Sequence, residues 1–355
     1  MSDRIDYDHY APIFKVKISG QTLSPTAVIS VSVDQKIDAP DKFDIQLNEG
    51  FDINSQKFNW LDNDLIHPGK VVDVFIGYAG KQMRCLIKGT INAISPDFPS
   101  TGVPSLKIEG YDFSQKLQNR MNKYNSVKVS YSDVVRQLAG KNKLSAGGVE
   151  SSGKKYEKID RRKDESDYKL IERLAGEMNF EFFVREKKLY FRKAKENKKV
   201  QTYQYKKDLI SFTPRLSTAS IVTQVEVSGW NEKEKKGVEG KATLSDVTKD
   251  SSVKRIITKF VTGAQGNQPR KKEVKVQVDT AEEATKRAKF ELTKLARKFI
   301  EGSIDCIGDP ELIPGVSVEI KGIGDLFSGK YYITGAKHSL SGSGYKTTLD
   351  VRRVL

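Results

Sequence analysis

The stretch Phe299–Arg353, FIEGSIDCIGDPELIPGVSVEIKGIGDLFSGKYYITGAKHSLSGSGYKTTLDVRR, decides how the chain is read. Gly308-Asp309-Pro310 is a turn, and Pro314-Gly315 is a second, with proline fixing φ and glycine free to take φ > 0. Val316, Val318 and Ile320 then alternate with Ser317 and Glu319, the period of a half-buried strand. Gly322, Gly324 and Gly329 punctuate a loop before the β-rich Tyr331–Thr334. A further turn at Ser341–Gly344 leads into the alternating run Tyr345–Val351. The stretch therefore reads as antiparallel strands on short turns, with no nucleophile, general base or metal cluster in it.

Working outward, 355 residues can hold two or three domains with real cores. Apolar residues make up 37% and charged residues 30%, and no apolar run approaches the ~18 residues of a membrane span, so no span is expected. The start, MSDRIDYDHY, is acidic and polar, unlike a signal peptide. Cys85 and Cys306 stand apart, as in a reducing compartment, with pairing left open. Lys and Arg number 61 against 46 Asp and Glu, a formal charge of +15 that invites nucleic acid as a partner. The lysines are scattered beside turns and interrupted by acids, the pattern of solvated surface, so specific nucleic-acid binding is not expected.

Residues 1–115 read as β. Phe14, Val16 and Ile18 alternate with polar residues, as do Phe43, Ile45 and Leu47, and Val28–Val33 and Val71–Tyr78 are β-rich. Phe51–Trp60 breaks the pattern as a loop or short helix. Short strands at near-regular spacing suggest a barrel or sandwich. Composition shifts over 116–205, a small α/β insert. Ser132 is expected to cap a short helix there, and Lys141–Arg162 is Gly-, Ser- and Lys-rich like a loop. Tyr168, Ile171, Leu174, Ala175 and Met178 follow helical spacing, with Asn179 ending the helix. A hairpin of Phe180–Val184 and Leu189–Phe191 follows, whose aromatic rings are either the core against that helix or a base-stacking platform.

Residues 206–355 return to β. Leu209–Thr213, Ile221–Trp230, Arg255–Val261 and Glu273–Val278 are strand candidates, with a charged excursion at Asn231–Asp250 and a loop at Thr262–Pro269. Thr280 and Glu283 form a capping box ahead of a long helix carrying Ala284, Ala288, Leu292, Leu295 and Phe299 on one stripe. The fold class is thus α+β, mainly β: two β regions flank the insert, with one long helix before the C-terminal strands. No residue-level repeat links the two β regions.

Enzyme chemistry finds little footing. His9, His67 and His338 have no partner at metal-ligand spacing, and neither do the cysteines. Gly322-Ile323-Gly324 lacks the third glycine of a dinucleotide loop and a following helix. No phosphate-loop or nucleophile-elbow motif occurs. No catalytic residue, cofactor or metal is expected.

One resemblance is specific. Gly308-Asp309-Pro310, Pro314-Gly315, Phe327-Ser328-Gly329, Tyr331, His338, Gly344-Tyr345 and Arg352 stand in a pattern that resembles the late control D family, the baseplate hubs of contractile phage tails and injection systems. The run Glu165–Val184 with Leu189–Phe191 is similar to that family's insert. The resemblance implies tube-protein-like barrels at 1–115 and 206–355. It also implies a homotrimer that joins a hexameric tail tube to a three-fold spike and meets other baseplate proteins. Such a protein would be cytoplasmic during assembly, then part of a phage tail or of an extracellular or cell-associated injection particle. The hub of valine-glycine repeat spike proteins is related, but no spike repeat follows Arg353, so the central spike is expected to be a separate chain. A nucleic-acid-binding protein using the basic surface and the Phe180–Phe191 hairpin is the alternative, and a carbohydrate-active β protein a third reading.

Overall fold

The computed structural model describes residues 11–219, 221–231, 234–262, 270–276, 278 and 280–355. The acidic start with His9, and most of the expected loop Thr262–Pro269, lie outside the described residues.

The first region is built from β1 (Pro12–Ile18), β2 (Gln21–Thr22), β3 (Val28–Lys36), β4 (Lys42–Asn48), β5 (Phe51–Asp52), β6 (Lys57–Phe58), β7 (Val71–Tyr78), β8 (Arg84–Asp97) and β9 (Ser105–Asp112). Alternation does the positioning. Phe43, Ile45 and Leu47 of β4 and Val72, Val74 and Ile76 of β7 are fully buried, while their neighbours face out. The segment Phe51–Trp60, read as a loop or short helix, carries the small β5–β6 hairpin instead.

The insert holds α1 (Gln115–Gln118), β10 (Val127–Ser130), α2 (Tyr131–Lys141), β11 (Ser145–Val149), β12 (Lys155–Lys158), α3 (Asp167–Met178), β13 (Phe180–Arg185) and β14 (Lys188–Lys193). The expected cap Ser132 is displaced by Ser130. The Ser130 hydroxyl accepts from Asp133 N–H, and the Asp133 carboxylate accepts from Ser130 N–H at 3.0 Å. Ser132 has Val135, not an acid, three residues on, so it cannot form that reciprocal pair. The expected loop Lys141–Arg162 contains two strands, β11 running parallel to β14 and β12 pairing with β10. Asn179 ends α3 in the left-handed conformation, φ 54°. The insert has its own apolar core, with Phe182 and Phe191 packed against α2 and α3 residues such as Leu138, Ile171 and Leu174.

The last region runs β15 (Lys199–Gln204), β16 (Ser211–Leu216), β17 (Gln224–Asn231), β18 (Lys236–Thr243), α4 (Leu244–Val247), α5 (Ser251–Thr262), β19 (Lys271–Lys275), α6 (Ala281–Ala296), β20 (Ile300–Ile307), β21 (Ser317–Lys321), α7 (Gly324–Phe327), β22 (Gly329–Ser341) and β23 (Gly344–Arg353). Arg255–Val261, expected as a strand, belongs to α5. Its β-branched residues suggest β, but Val253 and Ile257, four apart, are the ones buried, which is helical burial. The charged excursion Asn231–Asp250 contains β18 and α4. Thr280 caps α6 by accepting from Glu283 N–H, and Ala284, Ala288, Leu292 and Ala296 form its buried stripe. Leu295 is partly buried against the core, and Phe299 follows as a buried residue beyond the helix end.

The mainly β, α+β class stands. Most strands of both β regions share a single sheet of thirteen strands, ordered β16-β20-β23-β22-β3-β4-β9-β8-β7-β1-β2, with β21 beside β22 and β15 beside β21, while β5–β6 and β18-β17-β19 form small sheets of their own. The seam is the antiparallel pairing of β22 with β3, from Gly335 opposite Lys36 to Ser341 opposite Ser30. One apolar cluster runs through both regions, from Val16 to Val351. No helix among the described residues is long and apolar enough to cross a membrane.

Candidate functional site

The C-terminal signature separates into three places along β22 and β23. At the first, Gly308, Asp309, Pro310, Pro314 and Gly315 form a buried turn laid over His338 and Tyr345. The Asp309 carboxylate accepts from Glu311 N–H at 2.8 Å, closing a turn on its own backbone, and Asp309 N–H donates to Thr347 Oγ1 at 3.1 Å. Gly308 lies so close to Tyr345 that a Cβ would fall 2.1 Å from the ring. Gly315 has φ +93°, and a Cβ there would sit 2.9 Å from Arg192 Nη2. His338 is fully buried, with Nδ1 2.8 Å from Tyr345 Oη and 3.2 Å from Thr347 Oγ1. Burial pushes the imidazole down to about 3, the Leu312 carbonyl opposing only in part, so it stays neutral. This turn reaches the first β region, since Tyr78 Oη donates to the Gly308 carbonyl at 2.6 Å and Arg84 pairs with Glu311.

At the second place, Phe327, Ser328, Gly329 and Tyr331 gather around Arg353. The Arg353 guanidinium donates to the Phe327 carbonyl at 3.2 Å and to the Ser328 carbonyl, and lies 5.4 Å from the Tyr331 ring centre. Tyr331 Oη donates to the Phe327 carbonyl at 2.6 Å. Arg352 marks the third place: it pairs with Glu196 at 2.7 Å and stacks on Tyr332 at 4.6 Å. Gly344 stands apart, at φ +108° in the exposed β22–β23 turn.

The structure adds a set of residues that the sequence reading missed. They join the insert to both β regions. Glu196, between insert and β15, accepts from Arg297 at 2.9 Å as well as from Arg352. Arg297 also donates to the Oδ1 of Asn179 at 2.6 Å, so the residue that ends α3 is tied to the residue that follows α6. Glu181 accepts from Tyr332 Oη and faces Arg192 at 3.5 Å; burial raises its carboxyl above the usual range. On the other side, Asp38 N–H donates to the Phe182 carbonyl at 3.2 Å, and the charge of Arg185 acts on Asp41. Burial pushes Asp38 up to about 6 and Asp41 up to about 7. The signal that could have found this set is the alternation of Glu181, Phe183 and Arg185 opposite Lys188, Tyr190 and Arg192, which gives the hairpin a polar face as well as an apolar one.

The hairpin aromatics do not form an open platform. Phe180, Phe182, Phe183 and Phe191 are all buried, and Phe183 stacks on Tyr190 at 4.8 Å. The surface lysines stand among carboxylates in several places, as where Lys42 and Lys107 both reach Glu109 at 3.0 Å. Both cysteines are free thiols, Cys306 buried and Cys85 half-buried. Among the described residues no three His, Cys, Asp or Glu side chains are placed to hold a metal ion.

The model of the Alg8 N-terminal domain matches residues 9–342. The chain belongs to the Alg8 N-terminal domain family. No curated protein matches this family member in sequence. Its fold is shared by solved tail proteins. The prophage MuSo2 43 kDa tail protein from Shewanella oneidensis is 14% identical, with a TM-score of 0.71 over 97% of this chain and 98% of that one. A tail protein from Neisseria meningitidis MC58 is 15% identical, with a TM-score of 0.71 over 97% of each chain. An E. coli component of the type VI secretion system, described as structurally similar to bacteriophage T4 tail proteins, is 13% identical, with a TM-score of 0.60 over 96% of this chain and 77% of that one.

Proposed function

We propose that this member of the Alg8 N-terminal domain family is a structural hub, of late control D type, in a contractile phage tail or injection system. In this reading it is a homotrimer that joins a hexameric tail tube to a three-fold central spike, and it contacts other baseplate proteins. It carries out no chemical step. It is made in the cytoplasm and ends in the assembled particle. Residues 1–115 and 206–355 supply one tube-like β domain each, and 116–205 the insert.

The observation that carries the reading is the β22–β3 seam, which holds two β regions edge to edge within one subunit. Three subunits then offer a ring of six β regions to a six-fold tube while keeping three-fold symmetry toward a spike. The same fold in prophage tail proteins and in a type VI secretion component supports it. The signature residues act here as framework: Gly308, Asp309, Pro310, Pro314 and Gly315 shape the turn that Tyr345 and His338 anchor. Size-exclusion chromatography with light scattering on the full chain tests the reading. The expected mass is three times the 39.9 kDa of one chain. A strict monomer that binds neither the tube nor the spike protein encoded beside it overturns the proposal.

A further inference from the structure

The strand registers bring strand ends from both β regions to one rim of the large sheet. Asp97 at the end of β8 stands opposite Ser105, Ser105 opposite Asn48, and Leu47 opposite Val28. The line continues through Ser30 opposite Ser341 and Ser341 opposite Gly344, then Lys346 opposite Ile307. The insert lies at the other end of the first region's strands. There the Asp38 N–H, in the β3–β4 turn, donates to the Phe182 carbonyl at 3.2 Å, and β9 runs on into Phe113 of the insert's core.

At the rim, large apolar side chains are open to solvent. Phe51 and Ile53 stand on the β5–β6 hairpin, which follows β4, and Phe98 and Val103 on the turn from β8 to β9. Ile53 is 75% exposed and Val103 68%. The two tips form one patch, because Phe58 lies 4.8 Å from Phe51 and 5.3 Å from Phe98 between ring centres. Along the same rim, the last region presents Ile307 at the end of β20 and Ile210 just before β16, both exposed. Apolar surface gathered in one place on a folded chain marks a contact with another protein.

Charge narrows the partner. Asp52, Asp62 and Asp97 are exposed beside the aromatic patch, against the single cation Lys57, which stands across the hairpin from Asp52. None of the three carboxylates has an ion pair among the described residues. This is a local acidic excess on a chain of net charge +15. Symmetry narrows it further. Both β regions carry apolar tips on the same rim, so a trimer presents six such ends, whereas a three-fold spike needs only three. We infer that this rim is the face that receives a six-fold, ring-shaped protein, whose matching surface is apolar with lysine or arginine opposite the first region. The inference rests on the trimeric hub proposed above, which supplies the six-fold count.

Biolayer interferometry of the full chain on immobilised tube protein, the one encoded beside it, tests this, with light scattering on each variant. Wild type is expected to be trimeric and to bind saturably, as is Met121→Asp, a change at an exposed apolar residue of the insert. The double variant Phe98→Ser, Val103→Asp is expected to keep its thermal unfolding and trimeric mass and to bind about tenfold more weakly or worse. Asp97→Lys is expected to weaken binding and flatten its dependence on salt. A folded, trimeric double variant that binds like wild type overturns the inference and leaves the hub reading standing. So does a trimeric wild type that does not bind the tube protein. A double variant that turns monomeric also overturns it, because the rim would then join copies of this chain. Unchanged affinity in Asp97→Lys overturns the basic character assigned to the partner. A monomeric wild type that ignores the tube protein overturns the hub reading, and the inference with it.

Discussion

At the scale of single residues, two positions in the C-terminal signature make testable demands. His338 is held neutral by burial, its folded-state pKa near 3 against about 6.5 when unfolded. The unfolded chain therefore takes up a proton at this residue that the folded chain refuses. Its contribution to stability is complete above about pH 6.5 and is lost at about 1.4 kcal/mol per pH unit as the pH falls toward 3. Asp38 and Asp41 work the other way, because their raised pKa values let the folded state bind protons as the pH falls through 7 and 6. The His338 contribution is thus visible only by difference. His338→Gln keeps a polar partner for Tyr345 and Thr347 and cannot titrate. Urea unfolding at pH 7 and pH 5 is expected to show wild type losing about 2 kcal/mol relative to the variant. An unchanged difference between the two pH values would rule this out. Gly315 is the second position. At φ +93° a β-branched side chain is strained by about 1–2 kcal/mol, and its Cβ also meets the Arg192 guanidinium at 2.9 Å. Gly315→Val is expected to cost about 2 kcal/mol or more and to impair assembly, while Lys321→Ala, at an exposed position, costs under about 0.5 kcal/mol. Equal stability and assembly of the two variants would show that this turn is not a keystone.

At the scale of elements, local pattern was enough wherever one face of an element is buried. The strands around Phe43–Leu47 and Val72–Ile76, the helix ending at Asn179 and the Thr280-capped helix all announce themselves by period and cap. It was not enough where burial comes from distant partners. The β-branched run in α5 reads as strand until Val253 and Ile257 are seen packed together on one side. The strands β11 and β12 are short and rich in glycine, serine or lysine, so no alternation marks them. The junction carboxylates were illegible for the same reason: Glu196 lies in a polar linker, and its two arginines are 101 and 156 positions away in sequence. Their weight can be measured. Glu196 is 20% exposed, with Arg297 at 19% and Arg352 at 11%, so the charges are only partly screened. Removing the carboxylate leaves two guanidiniums facing one another, and Glu196→Gln is expected to cost roughly 2–4 kcal/mol. Glu319→Gln, which breaks a surface pair with Lys199, is expected to cost under about 1 kcal/mol. Urea midpoints that fall equally for both would show that Glu196 is not a clamp between insert and sheet.

At the scale of the whole molecule, the decisive contact lies between positions that no local signal connects. Residues 30–36 and 335–341 pair across nearly the full length of the chain, and each strand alone reads as an ordinary alternating segment. The sequence therefore shows two β regions without showing that their edges are one seam. The seam has consequences for unfolding. The two regions are also tied by Tyr78 bonded to Gly308 and Arg84 paired with Glu311, and one apolar cluster runs through both. Loss of either region would expose an unpaired strand edge and half of that shared core, so the two regions should unfold together. The chain carries its own reporters, since its two tryptophans fall one in each region. Trp60 is partly buried, its indole donating to the Asn48 carbonyl at 2.9 Å, and Trp230 is half-exposed on β17. Trp60→Phe leaves a probe in the last region, and Trp230→Phe leaves one in the first. Urea titrations followed by tryptophan fluorescence are expected to give midpoints within about 0.2 M of wild type and of each other. Midpoints separated by about 1 M would mean that the regions melt independently. The β22–β3 pairing would then be a contact between two self-sufficient domains, and the hub proposed above would not need it to present both regions to a tube.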